Sequence, residues 1–364
     1  MYNIEEITNR ILNDLKAVKD PDLNKDIVSL GFIKNISHQN NKISFDLELT
    51  TPACPVKDQL KAECEAIVLK IPGIKQVDIR MTSNVASRTQ FGTSKVLPTV
   101  KNIIAVASGK GGVGKSTVAA NLALALAKSG TKVGILDADI YGPSMPTMFG
   151  ISQMPQITQE KKILPIEQYG LQIMSMGFLT PADKPVIWRG PMVHSIINQF
   201  LQQVLWGDLD YLVLDLPPGT GDAQLSLTQN CPISGAVIVS TPQDVSLIDA
   251  RKGLKMFQEV KVPVLGIVEN MSVFICPHCQ HPTHIFRSGG VQKTCQEMGV
   301  NFLGHIPIDP EVVVGGDDGT PIVAKNPTSL AAQAFFAIAG EVARQISILN
   351  SQPVLSELTL EWKT

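Results

Sequence analysis

The stretch GKGGVGKST, from Gly109 to Thr117, restricts the fold of this chain more than any other. It follows the apolar run IIAVAS, Ile103 to Ser108, and leads into the helix-forming run TVAANLALALAKSG. An apolar strand, a glycine-rich turn and a helix form the context in which a loop cradles phosphate with its backbone N–H groups. Gly111, Gly112 and Gly114 permit close backbone approach, and the following helix presents the positive end of its dipole to the same anion. The expected nucleotide cradle is therefore Gly109, Lys110, Gly111, Gly112, Val113, Gly114, Lys115, Ser116 and Thr117. Lys115 is expected at the β- and γ-phosphates of ATP and Ser116 on magnesium. Lys110 is an additional cation that an ordinary phosphate loop does not require.

A chain of 364 residues has room for two domains, and 18% charged residues with a net charge of −2 fit a folded protein without a global drive toward nucleic acid or anionic lipid. The opening MYNIEEITNR lacks a basic-then-apolar signal pattern, and no apolar run reaches the roughly 18 residues of a membrane span. A cytoplasmic protein with neither a nucleic-acid nor a membrane partner is expected, its six cysteines reduced.

Apolar residues at Ile4, Ile7, Ile11, Leu12, Leu15 and Val18 recur at helical spacing, with Asn3 and Glu6 placed as a capping box. KISFDLELT alternates as a half-buried strand, Val56 to Val68 reads as an amphipathic helix, and VDIRM closes a small α+β domain over residues 1–87. Residues 88–100 read as its linker. Cys54 precedes a helix start, where a thiolate is favoured; the other reading is a small side chain in a tight turn. Cys64 lies on the apolar face and reads as core.

From residue 101 to 350, IIAVAS, KVGILD, YLVLDL, GAVIVS and VLGIVEN read as strands buried on both faces and alternate with helical runs. This predicts an α/β domain, a mostly parallel sheet with helices on both faces. Gly130 reads as the glycine just past a helix, Thr241 as an N-cap with Pro242 in the first helical position. Residues 351–364 form a short tail of mixed charge.

Strand ends carry the remaining nucleotide chemistry. LDADIYGPS places Asp137 and Asp139 where carboxylates hold a magnesium water or orient an attacking water, although both also suit loop caps. YLVLDLPPGTGD adds Asp215 for magnesium through water, and Gly219 and Gly221 for an N–H to the γ-phosphate.

Together GKGGVGKS, LDADIYGPS and LDLPPGTGD resemble the deviant-Walker ATPases related to MinD, ParA and the nitrogenase iron protein. That resemblance implies an ATP-dependent homodimer in which Lys110 reaches the partner's phosphates, as an arginine finger does. It also implies that Asn270, in VENMS, contacts adenine; from position alone Asn270 is a strand-end cap.

Cys276 and Cys279 have the C-x-x-C spacing that brings two thiolates onto one metal centre. Two cysteines do not complete a four-thiolate cluster, and a two-fold dimer supplies the other pair. His281 and His284 follow closely, so a single-chain zinc site is the competing reading. Cys231 and Cys295 read as packing residues. With the cysteine pair included, nearly the whole chain resembles the Mrp-type (ApbC) iron-sulfur cluster carriers: DPDLNKDIVSLGFIK and TTPACP match the MIP18-like domain fused ahead of that ATPase, and VIWRGPM and CPHC match the carrier's own motifs. The resemblance implies slow ATP hydrolysis, a labile [4Fe-4S] cluster held between two subunits, and delivery to apo iron-sulfur proteins alongside cluster-assembly factors. The alternative is a spatial-organisation ATPase with structural zinc. Gln280 and Arg287 depart from the family pattern, standing where glycine is common.

Overall fold

The computed structural model describes residues 4–39, 41–87, 97–140, 142–179, 190–219, 221, 224, 227–228 and 231–352. Asn3, most of the linker, Val186 to Arg189 of VIWRGPM, Thr220 and Asp222, and the tail from residue 353 lie outside them. Two compact units are present, Met1–Thr93 with Arg344–Thr364, and Ser94–Ala343.

In the smaller unit, the helix Ile4–Leu15 and the helix Lys57–Val68 lie over a three-stranded sheet of Ile33–Gln39, Lys42–Leu49 and Gln76–Ser83. The first pair is antiparallel and the second parallel, as a strand–helix–strand connection requires. Alternation along Lys42–Leu49 sends Ile43, Phe45 and Leu47 into a core shared with Ile11, Leu15, Leu60, Cys64 and Val68. Cys54 is half-buried against that core. Burial pushes its thiol above the ordinary range, and the Asp20 and Asp22 charges add to the shift against the Val56 N–H. Of the two readings of Cys54, this opposes the favoured thiolate: desolvation outweighs the helix N-terminus.

The larger unit is built on an eight-stranded sheet in the order Phe302–His305, Val264–Glu269, Gly235–Ser240, Val100–Ser108, Leu209–Asp215, Val133–Asp137, Leu171–Ser175, Ile166–Gln168. Every pairing is parallel except that of the edge strand Ile166–Gln168. Val133–Asp137 and Gly235–Ser240 are buried at every position, which explains their unbroken apolar runs. The helix Lys115–Lys128 is buried along nearly all of its length, so its alanines and leucines show little sidedness. It ends at Ser129, and Gly130 follows with φ +102°, the left-handed step expected past a helix end. The next helix start differs from expectation. Asp244–Glu259 has Gln243 at its N-cap, and the Thr241 hydroxyl instead meets Ser246 Oγ at 2.6 Å and Gln243 Oε1 at 2.9 Å.

Candidate functional site

Val100–Ser108 ends in the middle of the sheet, between Leu209–Asp215 and Gly235–Ser240, so the loop after it opens where strand C-terminal ends converge. Gly112 and Gly114 take φ values of +79° and +80° there, and Gly114 caps the helix that begins at Lys115. The loop bounds a cavity of about 220 Å³ lined by Ser108, Lys110, Gly111, Gly112, Gly114, Lys115, Ser116, Thr117, Asp139 and Pro218. Gly219 lies beside it with φ +93° and donates its N–H to the Ser108 carbonyl at 2.9 Å.

Beneath the cavity the carboxylates are stacked by strand register. Asp215 pairs with Asp137 on the adjacent strand, and both are fully buried. The Lys115 ammonium donates to Asp215 Oδ1 at 2.5 Å and to Ser116 Oγ at 3.2 Å. Among the described residues Asp215 Oδ2 is buried without a hydrogen-bond partner. Such an oxygen beside a serine hydroxyl and a phosphate cradle fits the outer sphere of a magnesium ion. Burial raises the proton affinity of Asp215, opposed by Lys115. Burial, followed by the Asp215 charge, lifts Asp137 to about 7.

Asp137 does not line the cavity. Its Oδ1 accepts the Asp139 N–H at 3.1 Å, and its Oδ2 accepts the N–H groups of Ser144 and Met145 at 3.0 and 3.2 Å and the Ser175 hydroxyl at 3.0 Å. It organises the turn that carries Asp139 to the cavity wall, the loop-capping role that its position also allowed.

Two of the loop residues face protein instead of the cavity. Val113 is buried, and its carbonyl accepts the Asn270 side-chain amide at 2.9 Å. A Cβ on Gly114 would lie 2.2 Å from that same amide nitrogen. A Cβ on Gly109 would lie 2.3 Å from the Asp249 carbonyl in the helix Asp244–Glu259. Asp249 escapes a reading of the sequence because the contact is through backbone and carries no residue-type signal.

Cys276 and Cys279 lie in the turn of a hairpin whose strands, Phe274–Ile275 and Pro282–Thr283, pair antiparallel. The Cys276 N–H bonds the His281 carbonyl at 3.2 Å, and the Gln280 N–H bonds the Cys276 carbonyl at 2.8 Å. Backbone N–H groups of Cys279 and His278, followed by the Cys279 thiol, converge on the Cys276 sulfur and hold its thiol below the ordinary range. Cys276 is half-buried and Cys279 exposed. Among the described residues no three His, Cys, Asp or Glu side chains are gathered around a metal position, those of Cys276, Cys279, His281 and His284 included. Gln280 and Arg287 have φ values of +60° and +74°, a region that costs a side chain roughly 1–2 kcal/mol and that glycine enters freely. Cys231 and Cys295 are buried, their thiols pushed up by desolvation to about 12 and about 11, in keeping with packing roles.

Residues 99–343 match the ParA family model described as NUBPL iron-transfer P-loop NTPase, and residues 8–80 match one described as iron-sulfur cluster assembly protein. An iron-sulfur cluster carrier protein of Synechocystis sp. is 49% identical over 346 residues, covering 94% of this chain and 98% of its own. A nucleotide-binding protein of Archaeoglobus fulgidus, solved in complex with ADP and with cobalt, is 42% identical with a TM-score of 0.56, over 62% of this chain and 89% of its own. The cell division ATPase MinD of Pyrococcus furiosus is 24% identical with a TM-score of 0.50, over 66% of this chain and 98% of its own, a likeness of fold.

Proposed function

This chain belongs to the NUBPL iron-transfer P-loop NTPase family, and on that premise we propose that it is an iron-sulfur cluster carrier whose dimer holds a [4Fe-4S] cluster and is governed by ATP. The observation that carries this reading is the cysteine hairpin. Its turn favours a thiolate at Cys276, it leaves Cys279 exposed, and one chain offers no third ligand among the described residues. A two-fold axis through the cluster would bring a second Cys276 and Cys279 and complete four thiolates. Exposure of Cys279 suits a cargo that has to leave for an apo-protein.

The nucleotide half follows from the cradle. Phosphate arriving in the loop competes with Asp215 for the Lys115 ammonium, which now holds the 2.5 Å contact. Ser116 and Asp215 would hold magnesium and its water, and magnesium would neutralise charge on the β- and γ-phosphates. Asp139, on the cavity wall, would orient the attacking water. Lys110 also lines the cavity, half-exposed, and in a dimer it would be delivered to the partner's phosphates. The resemblance further implies that Asn270, whose amide nitrogen bonds the Val113 carbonyl of the loop, contacts adenine.

Anaerobic reconstitution of wild type and of Cys276→Ala/Cys279→Ala, with iron, acid-labile sulfide, zinc and oligomeric state measured together, tests the proposal. Iron and sulfide bound to a wild-type dimer and lost with the cysteines is the expected result. One zinc per monomer, no labile sulfide and dimerisation indifferent to the cysteines would overturn it.

A further inference from the structure

The phosphate loop and the cysteine hairpin are joined by a very short piece of chain. Asn270, 7% exposed, donates its side-chain amide to the Val113 carbonyl inside the loop at 2.9 Å. Its own N–H is fixed to the Ser240 carbonyl at 2.8 Å. Six residues further on stands Cys276.

Little slack exists between the two points. Met271 is held at φ +56°. Ser272 donates both its N–H and its hydroxyl to the Ile306 carbonyl, each at 3.0 Å, and the Val273 carbonyl accepts the Ile308 N–H at 2.8 Å. Phe274 bridges to Ile308 and pairs with Thr283, which opens the hairpin carrying the thiols. At the loop end Lys115 is held by Asp215, and an entering phosphate would compete for the same ammonium and give the loop a second arrangement. Coupling between sites requires such a bistable element and a contiguous physical connection from it.

We propose that Asn270 is a positioning residue that transmits the nucleotide state of the phosphate loop to the cysteine pair. A shift of the Val113 carbonyl on phosphate binding moves the Asn270 amide, and the pinned segment Met271 to Ile275 carries that displacement into the hairpin turn closed by the Cys276 N–H on the His281 carbonyl and the Gln280 N–H on the Cys276 carbonyl. Cluster release under nucleotide control is the consequence if the carrier reading holds.

The test uses full-length, cluster-free protein and reads the iodoacetamide alkylation rates of Cys276 and Cys279 by mass spectrometry. Rates are compared without nucleotide and with saturating Mg·ADP or a non-hydrolysable ATP analogue, saturation being established by equilibrium dialysis. Wild type is expected to change by about fivefold or more, the low end of ordinary coupling between sites. Asn270→Ala is expected to lose that response at saturation, whatever its nucleotide affinity. A second variant, with two glycines inserted between Met271 and Ser272, keeps Asn270 in place and loosens only the connection; it should bind nucleotide and lose the response, and it decides the matter if Asn270→Ala cannot be saturated. A purely structural role for Asn270 would alter the basal rate and leave the nucleotide response intact. An unresponsive wild type, or a full response in either saturated variant, overturns the proposal. Because no cluster is present, failure of cluster binding would leave this result standing, and a protein that assembles a cluster yet shows no response refutes the coupling alone.

Discussion

Gly109→Ala separates packing from phosphate chemistry within one loop. A methyl at Gly109 would stand 2.3 Å from both the carbonyl carbon and oxygen of Asp249, where ordinary contact begins at 3.4 Å. The obstacle is backbone inside the helix Asp244–Glu259, so no side-chain rotation relieves it, and helix and loop have to part by about 1 Å. Overpacking of this kind costs about 1–3 kcal/mol. At roughly 2–4 °C per kcal/mol for a unit of this size, the melting temperature should fall by roughly 2–12 °C. Gly111→Ala is the control, since nothing lies within 4 Å of its Cβ and its φ is not positive; its stability should stay within about 0.5 kcal/mol of wild type. Both variants disturb the cradle, so nucleotide affinity is a poor discriminator. Thermal unfolding of nucleotide-free, full-length protein is the assay. Equal melting temperatures for the two variants would refute the close backbone approach at Gly109.

Lys115→Ala should abolish productive ATP binding, whereas Lys110→Ala should bind ATP and mainly lose hydrolysis; calorimetry with a phosphate-release assay checks both, and wild-type turnover by a monomeric Lys110→Ala protein would count against a lysine acting in trans. The nucleotide-free, metal-free protein should lose thermal stability as pH rises from 5 toward 7 and level off above it. Asp137 titrates at about 7 in the fold against 3.8 for the free side chain, so the native state keeps a proton that the unfolded chain has released. Asp137→Asn should flatten that slope, and a slope unchanged by this substitution would refute the assignment. In native protein Cys276 should be alkylated with a pH midpoint below that of an ordinary thiol, while Cys64, Cys231 and Cys295 stay unmodified, as site-resolved mass spectrometry would report.

Much of the larger unit is legible because its signals are local. The phosphate loop is a run of neighbours, and its strand and helix declare themselves by apolar length and alanine-rich pattern. The same is true of Gly130, whose role depends on the residues just before it. Ile166–Gln168, Leu171–Ser175 and Phe302–His305 were not expected as strands, being short and near the sheet edges, where pairing partners set the structure more than side-chain pattern does. At Thr241 the local rule misses by two residues: the helix starts after Gln243, and the Thr241 hydroxyl meets Ser246. Cys54 shows a helix terminus overruled by burial that only the packed core creates.

The sequence alone determined which chemical groups are present and which short spacings join them: a glycine loop with two lysines, aspartates at strand ends, and two cysteines separated by a turn. Convergence was decided by tertiary structure, because it depends on residues far apart in the chain. Strand order sets Asp215 against Asp137 and beneath Lys115, and the close approach of a distant helix makes Gly109 a packing glycine. The bond from Asn270 to Val113 spans 157 residues of sequence, and it places the cysteine hairpin within a short, pinned reach of the loop. No periodicity or spacing encodes that bond, since it exists only where two loops leave neighbouring parts of one folded sheet.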